Sequence, residues 1–256
     1  MTAIFVDITA TRGSTPRDAG TAMKVTADGI CGTIGGGALE HRAIATARRI
    51  LAAQGPERHE TIPLGPGLGQ CCGGAVTLHY TYQTRAIDAD PAPGDAPGPQ
   101  GGNGVRKNLW LWGAGHVGRA MVRHCPADAV DVTWVDTAPE RFPATVPAHV
   151  TVLFAADMPL LASRAPGSAH HLIFTYAHDI DLALCAALLK RGARDIGVIG
   201  SDTKWARFQT RLRAMGLDPV PITCPIGDKS LGKAPDALAK GCVRRLLALT
   251  TLGETA

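Results

Sequence analysis

Two glycine clusters, each running into a helical pattern, are the residues of this chain best suited to hold an anion. Gly113-Ala114-Gly115-His116-Val117-Gly118 follows directly on the apolar run Asn108 to Trp112. In such a segment Gly113 permits a tight turn, Gly115 lets a pyrophosphate approach the backbone, and Gly118 lets the next helix pack close to the strand. The helix N-terminus then offers N–H groups and a partial positive charge. Asp136 ends the next apolar run, about 20 residues on, where an acid can bind a ribose hydroxyl. The second cluster, Gly35-Gly36-Gly37, leads into Ala38 to Gln54, where Leu39, Ala43, Ala47, Ile50 and Leu51 recur at helical spacing. It reads either as another anion cradle, with Glu40 complementing the helix dipole, or as a tight turn that needs positive φ.

Other polar groups gather near these clusters. Arg12 and Arg17 flank Gly13-Ser14-Thr15-Pro16, a loop that can grip phosphate or carboxylate or simply expose two solvated arginines. Cys71-Cys72 precede Gly73-Gly74. Adjacent thiols point different ways, so at most one packs in a core, and thiolates suit soft metals. Zinc fits poorly, because no paired CxxC spacing is present. Cys31, in a strand pattern, and Cys185, in a helical one, are expected in the core. His178-Asp179 and Cys224-Pro225-Ile226-Gly227 follow strand-like runs, at the carboxyl end where α/β sheets place ligands. The His–Asp pair suits proton transfer, while Asp179 or Asp181 equally suits a helix cap. The chain shows no nucleophile–base–acid set, no paired-carboxylate motif and no P-loop ending.

The elements that must position these residues fall into two pieces. Asp88 to Gly104 is rich in Pro and Gly without apolar periodicity, as in a linker. Before it, Ile4 to Ala10, Ala22 to Thr26, Ile30 to Ile34, His59 to Leu64 and Ala75 to Tyr82 read as strands, with a hairpin turn at Asp28-Gly29. After it, the apolar runs 108–112, 130–135, 150–154, 170–175 and 195–199 alternate with helical stretches, clearest at Asp181 to Arg191 and Asp202 to Met215. Pro235 opens a last helix reaching about Leu249. Such alternation implies a parallel sheet covered on both faces. The fold class is therefore α/β: a small α+β N-terminal domain over 1–85, a linker over 86–106 and a Rossmann-like C-terminal domain over 107–256.

Composition narrows the function. Of 256 residues, 45% are hydrophobic and 19% charged, so a core can form. The net charge of +4 comes without a dense basic cluster, which speaks against nucleic acid. No run approaches the roughly 20 apolar residues that span a bilayer, and the start, Met1 to Asp7, lacks the pattern of a secretory signal. Seven cysteines at irregular spacings fit reduced thiols in a cytoplasmic protein.

The sequence resembles the xanthine dehydrogenase accessory (XdhC/CoxI) family. The resemblance rests on Gly13 to Arg17, Gly20 to Met23, Gly32 to Gly37 with Leu39-Glu40, Cys72-Gly73-Gly74, Gly113 to Gly118, His178-Asp179, Ile199-Gly200-Ser201 and Cys224 to Gly227. It covers nearly the whole chain, in order. It implies a non-catalytic maturation chaperone that binds molybdenum cofactor (molybdopterin), supports its sulfuration and delivers it to a xanthine dehydrogenase-type molybdenum hydroxylase. A cysteine desulfurase is the implied second partner, and open sheet edges allow a homodimer. The implied cofactor-binding residues are Arg17, Gly35, Gly36, Gly37, Cys72, Gly113, Gly115, His116, Gly118, Asp136, His178 and Cys224, with Cys72 nearest the metal. Against the family pattern, the chain starts almost at its first strand, and Asp202-Thr203-Lys204 is less basic than expected.

Two other readings compete. The glycine motif with Asp136 also suits an NAD(P)-dependent oxidoreductase, although no catalytic Lys, Tyr or His set accompanies it. A regulatory module binding a nucleotide at the Rossmann motif is the third.

Overall fold

A computed structural model describes residues 2–65, 74–87, 106–227 and 229–249. The chain divides into two compact units, Met1–Ala92 and Pro93–Ala256.

The first unit holds β1 (Ile4–Arg12), β2 (Ala22–Val25), β3 (Ile30–Gly32), α1 (Gly37–Ala53), β4 (Arg58–Pro63) and β5 (Ala75–Thr81). The strands form one antiparallel sheet in the order β3-β2-β1-β5-β4. Because side chains alternate along a strand, Ile4, Val6 and Ile8 of β1 share a face with Val76, Leu78 and Tyr80 of β5. Leu39, Ala43 and Ala47 of α1 pack on that face, and all nine are fully buried. On the opposite face Asp7, His79 and His59 stand in one cross-strand row. The His59 and His79 rings stack at 4.1 Å.

Cys31 departs from the expectation of a core residue, being exposed. In the three-residue edge strand β3 only Gly32 is buried. Alternation cannot tell which of two faces such a short edge strand buries. Cys185 is fully buried, as expected, and burial raises its thiol pKa above the ordinary range.

The second unit holds β6 (Lys107–Trp112), α2 (His116–His124), β7 (Val130–Asp136), β8 (Val150–Phe154), α3 (Met158–Ala162), β9 (His170–Ile173), α4 (His178–Arg191), β10 (Ile196–Val198), α5 (Asp202–Ala214), β11 (Ile222–Thr223) and α6 (Pro235–Ala248). Its six strands are parallel, in the order β11-β10-β9-β6-β7-β8. Both faces are covered. One carries Leu182, Leu184, Leu188, Phe208 and Leu212 of α4 and α5, and the other Met121, Val243 and Leu246 of α2 and α6. This double burial explains why the strands read as continuous apolar runs. Chain order reverses between β6 and β9, so the carboxyl ends of these strands mark the switch point at which such sheets bind ligands. Helix α4 begins at His178, three residues before the apolar pattern shows it, because Asp179 and Asp181 occupy its first turn. No helix among the described residues is long and apolar enough to cross a membrane.

Candidate functional site

In the first unit three motifs converge at the end of β1. Gly35 lies against the Pro16 ring, so closely that a Cβ on it would come within 2.6 Å of Pro16 Cγ and 3.5 Å of Arg17 Cγ. Gly74 meets the same loop from the other side, where a Cβ would come 2.3 Å from the Ser14 carbonyl oxygen. The loop Gly13 to Arg17 is thus clamped between the two glycine segments, with Thr15 and Arg17 buried. Arg17 is therefore not a solvated surface arginine. Cys71 and Cys72, just before Gly74, lie outside the described residues.

The turn Gly35-Gly36-Gly37 carries its own anion. Gly36, at φ 71°, caps α1. The Glu40 carboxylate, from the first turns of that helix, folds back into the bend. Its Oε2 accepts from Thr33 Oγ1 at 2.5 Å, Ile34 N at 2.9 Å and Gly36 N at 3.1 Å. Glu40 is only 6% exposed. Three donors of the segment leading into α1, Gly36 N among them, are thus held by a side chain of the same helix.

At the switch point of the second unit the arrangement differs. Gly113 follows β6 at φ 120°, and a Cβ there would strike the Phe174 carbonyl oxygen at 2.5 Å. At Gly118 a Cβ would lie 2.2 Å from the Gly113 carbonyl oxygen, so α2 packs directly on the turn. Trp134 Nε1 donates to that oxygen at 3.0 Å and fixes it from the neighbouring strand. Gly115 is the exception, being exposed, with no atom within 4 Å of the position a Cβ would take. It also lies at the N-cap of α2, where no side chain caps the helix. The N-terminus of α2 therefore opens onto free space beside half-buried His116.

Asp136, at the end of β7, faces inward. It is 1% exposed, and its Oδ2 accepts from Ala114 N at 2.6 Å. Its Oδ1 accepts from Thr137 N at 2.6 Å and Thr137 Oγ1 at 3.1 Å. The carboxylate thus braces the glycine loop.

The loop between β9 and α4 forms the other wall. Asp181 anchors it: Oδ1 accepts from Thr175 N at 3.2 Å and Thr175 Oγ1 at 2.5 Å, while Oδ2 accepts from Lys204 Nζ at 2.6 Å. Lys204 and Asp181 are both almost wholly buried, and Lys204 Nζ also donates to the Ile199 carbonyl. The only basic residue of the Asp202-Thr203-Lys204 segment is thereby turned into the protein. Asp181 does not cap α4, whose N-cap is Ala177, but ties the preceding loop to α5. His178 opens α4, where desolvation and the nearby Lys204 ammonium hold its imidazole below the usual histidine range. Asp179 points outward and lies 3.3 Å from Arg211 Nη1. Cys224, after β11, packs behind this wall, where a Cβ on Gly200 would come 3.2 Å from its sulfur and 2.8 Å from Lys204 Cδ.

The structure therefore gathers Gly113, Gly115, His116, Gly118, Asp136 and His178 around one switch point, with Cys224 two strands away behind Gly200. Arg17 and Gly35 to Gly37 form a separate group in the first unit. Among the described residues no group of three or more His, Cys, Asp or Glu is placed to hold a metal ion. Sequence reasoning missed the buried Lys204–Asp181 pair, the return of Glu40 into its own turn, and the contact of Arg141 with Tyr176. No local pattern signals any of these, since each contact depends on the strand order or on the path of a turn.

Comparisons with known proteins cover both units. Residues 2–62 match the XdhC and CoxI family model, and residues 109–243 match the XdhC Rossmann domain. The uncharacterized protein YqeB of Escherichia coli (strain K12) is 25% identical over 251 residues, which is 95% of this chain and 42% of that protein. The chain thus spans less than half the length of this curated relative. The crystal structure of a xanthine dehydrogenase (BH1974) from Bacillus halodurans aligns with a TM-score of 0.51 at 17% identity, covering 100% of this chain and 94% of that one. At that identity the likeness is one of fold.

Proposed function

The chain belongs to the XdhC and CoxI family, and from that premise we propose that it is a maturation factor for xanthine dehydrogenase-type molybdenum hydroxylases. It binds molybdenum cofactor, supports its sulfuration with a cysteine desulfurase as partner, and hands the cofactor to the apoenzyme in the cytoplasm. It acts as a carrier without turning over a metabolite. A homodimer is compatible with this role.

The observation that carries the reading is the open space over Gly115, at the switch point of a sheet that the family model matches. The other two glycines of that motif, Gly113 and Gly118, are closed by backbone, and this one is not. A phosphate-bearing ligand fits there, because the N-terminus of α2 carries a partial positive charge and no side chain caps it. His116 and His178 would line the ligand's approach. His178, kept neutral near pH 7, would offer a hydrogen bond without adding a charge. Cys72 would stand nearest the metal, a role assigned by the resemblance at Cys72-Gly73-Gly74. The cofactor, when bound, supplies the molybdenum centre that the target enzyme needs. The residues of this chain bind it, orient it and limit its contact with water.

Asp136 weighs against the NAD(P) reading. A ribose-binding acid must offer its oxygens outward, whereas both oxygens of Asp136 are engaged by Ala114 and Thr137.

The test is anaerobic purification from cells that make molybdenum cofactor, followed by measurement of molybdenum and pterin per chain. Near-stoichiometric amounts, lost in Cys72→Ala, are the expected result. A wild-type chain that carries nicotinamide nucleotide and neither molybdenum nor pterin would overturn the reading.

A further inference from the structure

Two side chains that belong to no sequence motif meet above the carboxyl end of β6. Arg141 ends the short 3₁₀ turn Pro139–Arg141 that follows β7, and Tyr176 lies in the loop between β9 and α4. Strands β7 and β9 flank β6 on opposite sides. Their axes are therefore about 10 Å apart, and a contact between their loops has to cross the end of β6, where the glycine loop begins. The guanidinium carbon of Arg141 sits 4.3 Å from the centroid of the Tyr176 ring. Its Nε lies 3.3 Å from Asp136 Oδ1, and Asp136 in turn holds Ala114 N. The guanidinium thus stands at the glycine loop.

The backbone that carries Arg141 is well anchored. Phe142 packs edge-on against Trp134 and Phe154, and Arg119 Nη2 donates to the Arg141 carbonyl at 2.9 Å. The two side chains themselves are accessible. Arg141 is 34% exposed and Tyr176 44%. Asp136 keeps its donors from Ala114 and Thr137 whether or not Arg141 stays beside it. A guanidinium on an exposed ring is held weakly, and a charge-assisted, hydrogen-bonded pair with a phosphate is the stronger contact. Arg141 can therefore exchange the ring for a phosphate, and the exchange uncovers the face of Tyr176.

We propose that Arg141 and Tyr176 are the specificity-determining pair of the switch-point crevice, selecting a phosphate ester that also carries a planar heterocycle. The phosphate engages Arg141 at the N-terminus of α2, and the heterocycle stacks on Tyr176. The proposal rests on the reading of this crevice as the cofactor site and names what the site selects: a phosphorylated pterin, in preference to free phosphate or an unphosphorylated pterin.

The probes are neopterin monophosphate, neopterin and inorganic phosphate, titrated against the full chain by calorimetry and by pterin fluorescence. The monophosphate is expected to bind at least about tenfold more tightly than either of the other two. Arg141→Ala should remove that advantage without weakening neopterin, whose stacking face it uncovers, with Arg141→Lys restoring part of the advantage. Tyr176→Ala should weaken the monophosphate and neopterin alike, whereas Tyr176→Phe should bind as the wild type does. Should Arg141→Ala fail to fold, Arg141→Gln carries the same expectation. Wild-type affinity in both alanine variants, or no preference of the wild type for the monophosphate, overturns the proposal. It fails separately from the carrier reading. Cofactor that copurifies equally with wild type, Arg141→Ala and Tyr176→Ala rejects the pair and leaves the carrier standing, while a wild-type chain that carries nicotinamide nucleotide and neither molybdenum nor pterin rejects the carrier.

Discussion

The two glycine turns of this protein start from the same local grammar and end as opposites. Each follows a strand, each opens a helix, and each places a carboxylate within reach of its backbone donors. At Gly35 to Gly37 the carboxylate of Glu40 takes three donors of the bend, Gly36 N among them, and brings a negative charge of the same helix into it. At Gly113 to Gly118 Asp136 takes one donor of the loop, Ala114 N, from below and leaves the space over Gly115 open. A glycine-rich strand-to-helix turn is therefore not in itself a ligand site. What separates the two cases is whether an anion of the same chain already occupies the cradle.

The largest effect is expected where the self-filled turn loses its anion. Glu40→Ala strands Thr33 Oγ1 and Ile34 N in a buried bend and Gly36 N at its half-buried edge. The orphaned donors outweigh the relief of unburying a charge, for a net cost of about 3 kcal/mol. All four tryptophans lie at or beyond residue 110, so their fluorescence reports only the second unit. The loss should appear as a lowered unfolding midpoint by far-UV circular dichroism, larger than any shift in tryptophan fluorescence. An unchanged midpoint would show that Glu40 is replaceable and that the cradle is open to outside anions.

Gly118→Ala comes next and strikes the other turn. Its Cβ would lie 2.2 Å from the Gly113 carbonyl, which Trp134 also holds, so α2 has to move off the strand. The expected cost is about 2 kcal/mol, read as a shift in the tryptophan transition. Gly36→Ala is comparable, about 2 kcal/mol: nothing stands near its Cβ, but the backbone at φ 71° and ψ −172° lies where essentially only glycine goes. It should leave cofactor content as in the wild type, since the turn it strains is already filled.

These expectations also show how far the sequence was legible. The parallel sheet could be read because strands buried on both faces are continuous apolar runs, and the Gly113 turn because its glycines sit at fixed offsets from a strand end. Glu40 was legible only as a complement to the helix dipole. That it bends back to Thr33 depends on the left-handed backbone of Gly35 and Gly36, which periodicity does not encode. Arg141 and Tyr176 are 35 residues apart and meet only because β6 inserts between β7 and β9. Lys204 stood out only as part of a segment less basic than the family pattern, and its buried partner Asp181 lies on another helix. Contacts that depend on strand order are invisible to any local pattern, and the crevice is built mostly of such contacts.

The smallest effect on stability belongs to Gly115→Ala, and it decides the comparison. With φ at −75° and no atom within 4 Å of the new methyl, the substitution strains nothing. Alanine is a poorer N-cap than glycine, so the cost should stay within about 0.5 kcal/mol. Yet the methyl projects into the space a bound phosphate would need beside the helix N-terminus, so cofactor content after anaerobic purification should fall severalfold. Gly36→Ala and Gly115→Ala thus form a crossed pair: the first loses stability and keeps the ligand, the second keeps stability and loses the ligand. If Gly115→Ala instead retains full cofactor, the open space is not where the phosphate lies. The site would then have to be sought among the other residues named by the resemblance, beginning with Arg17 and Cys72.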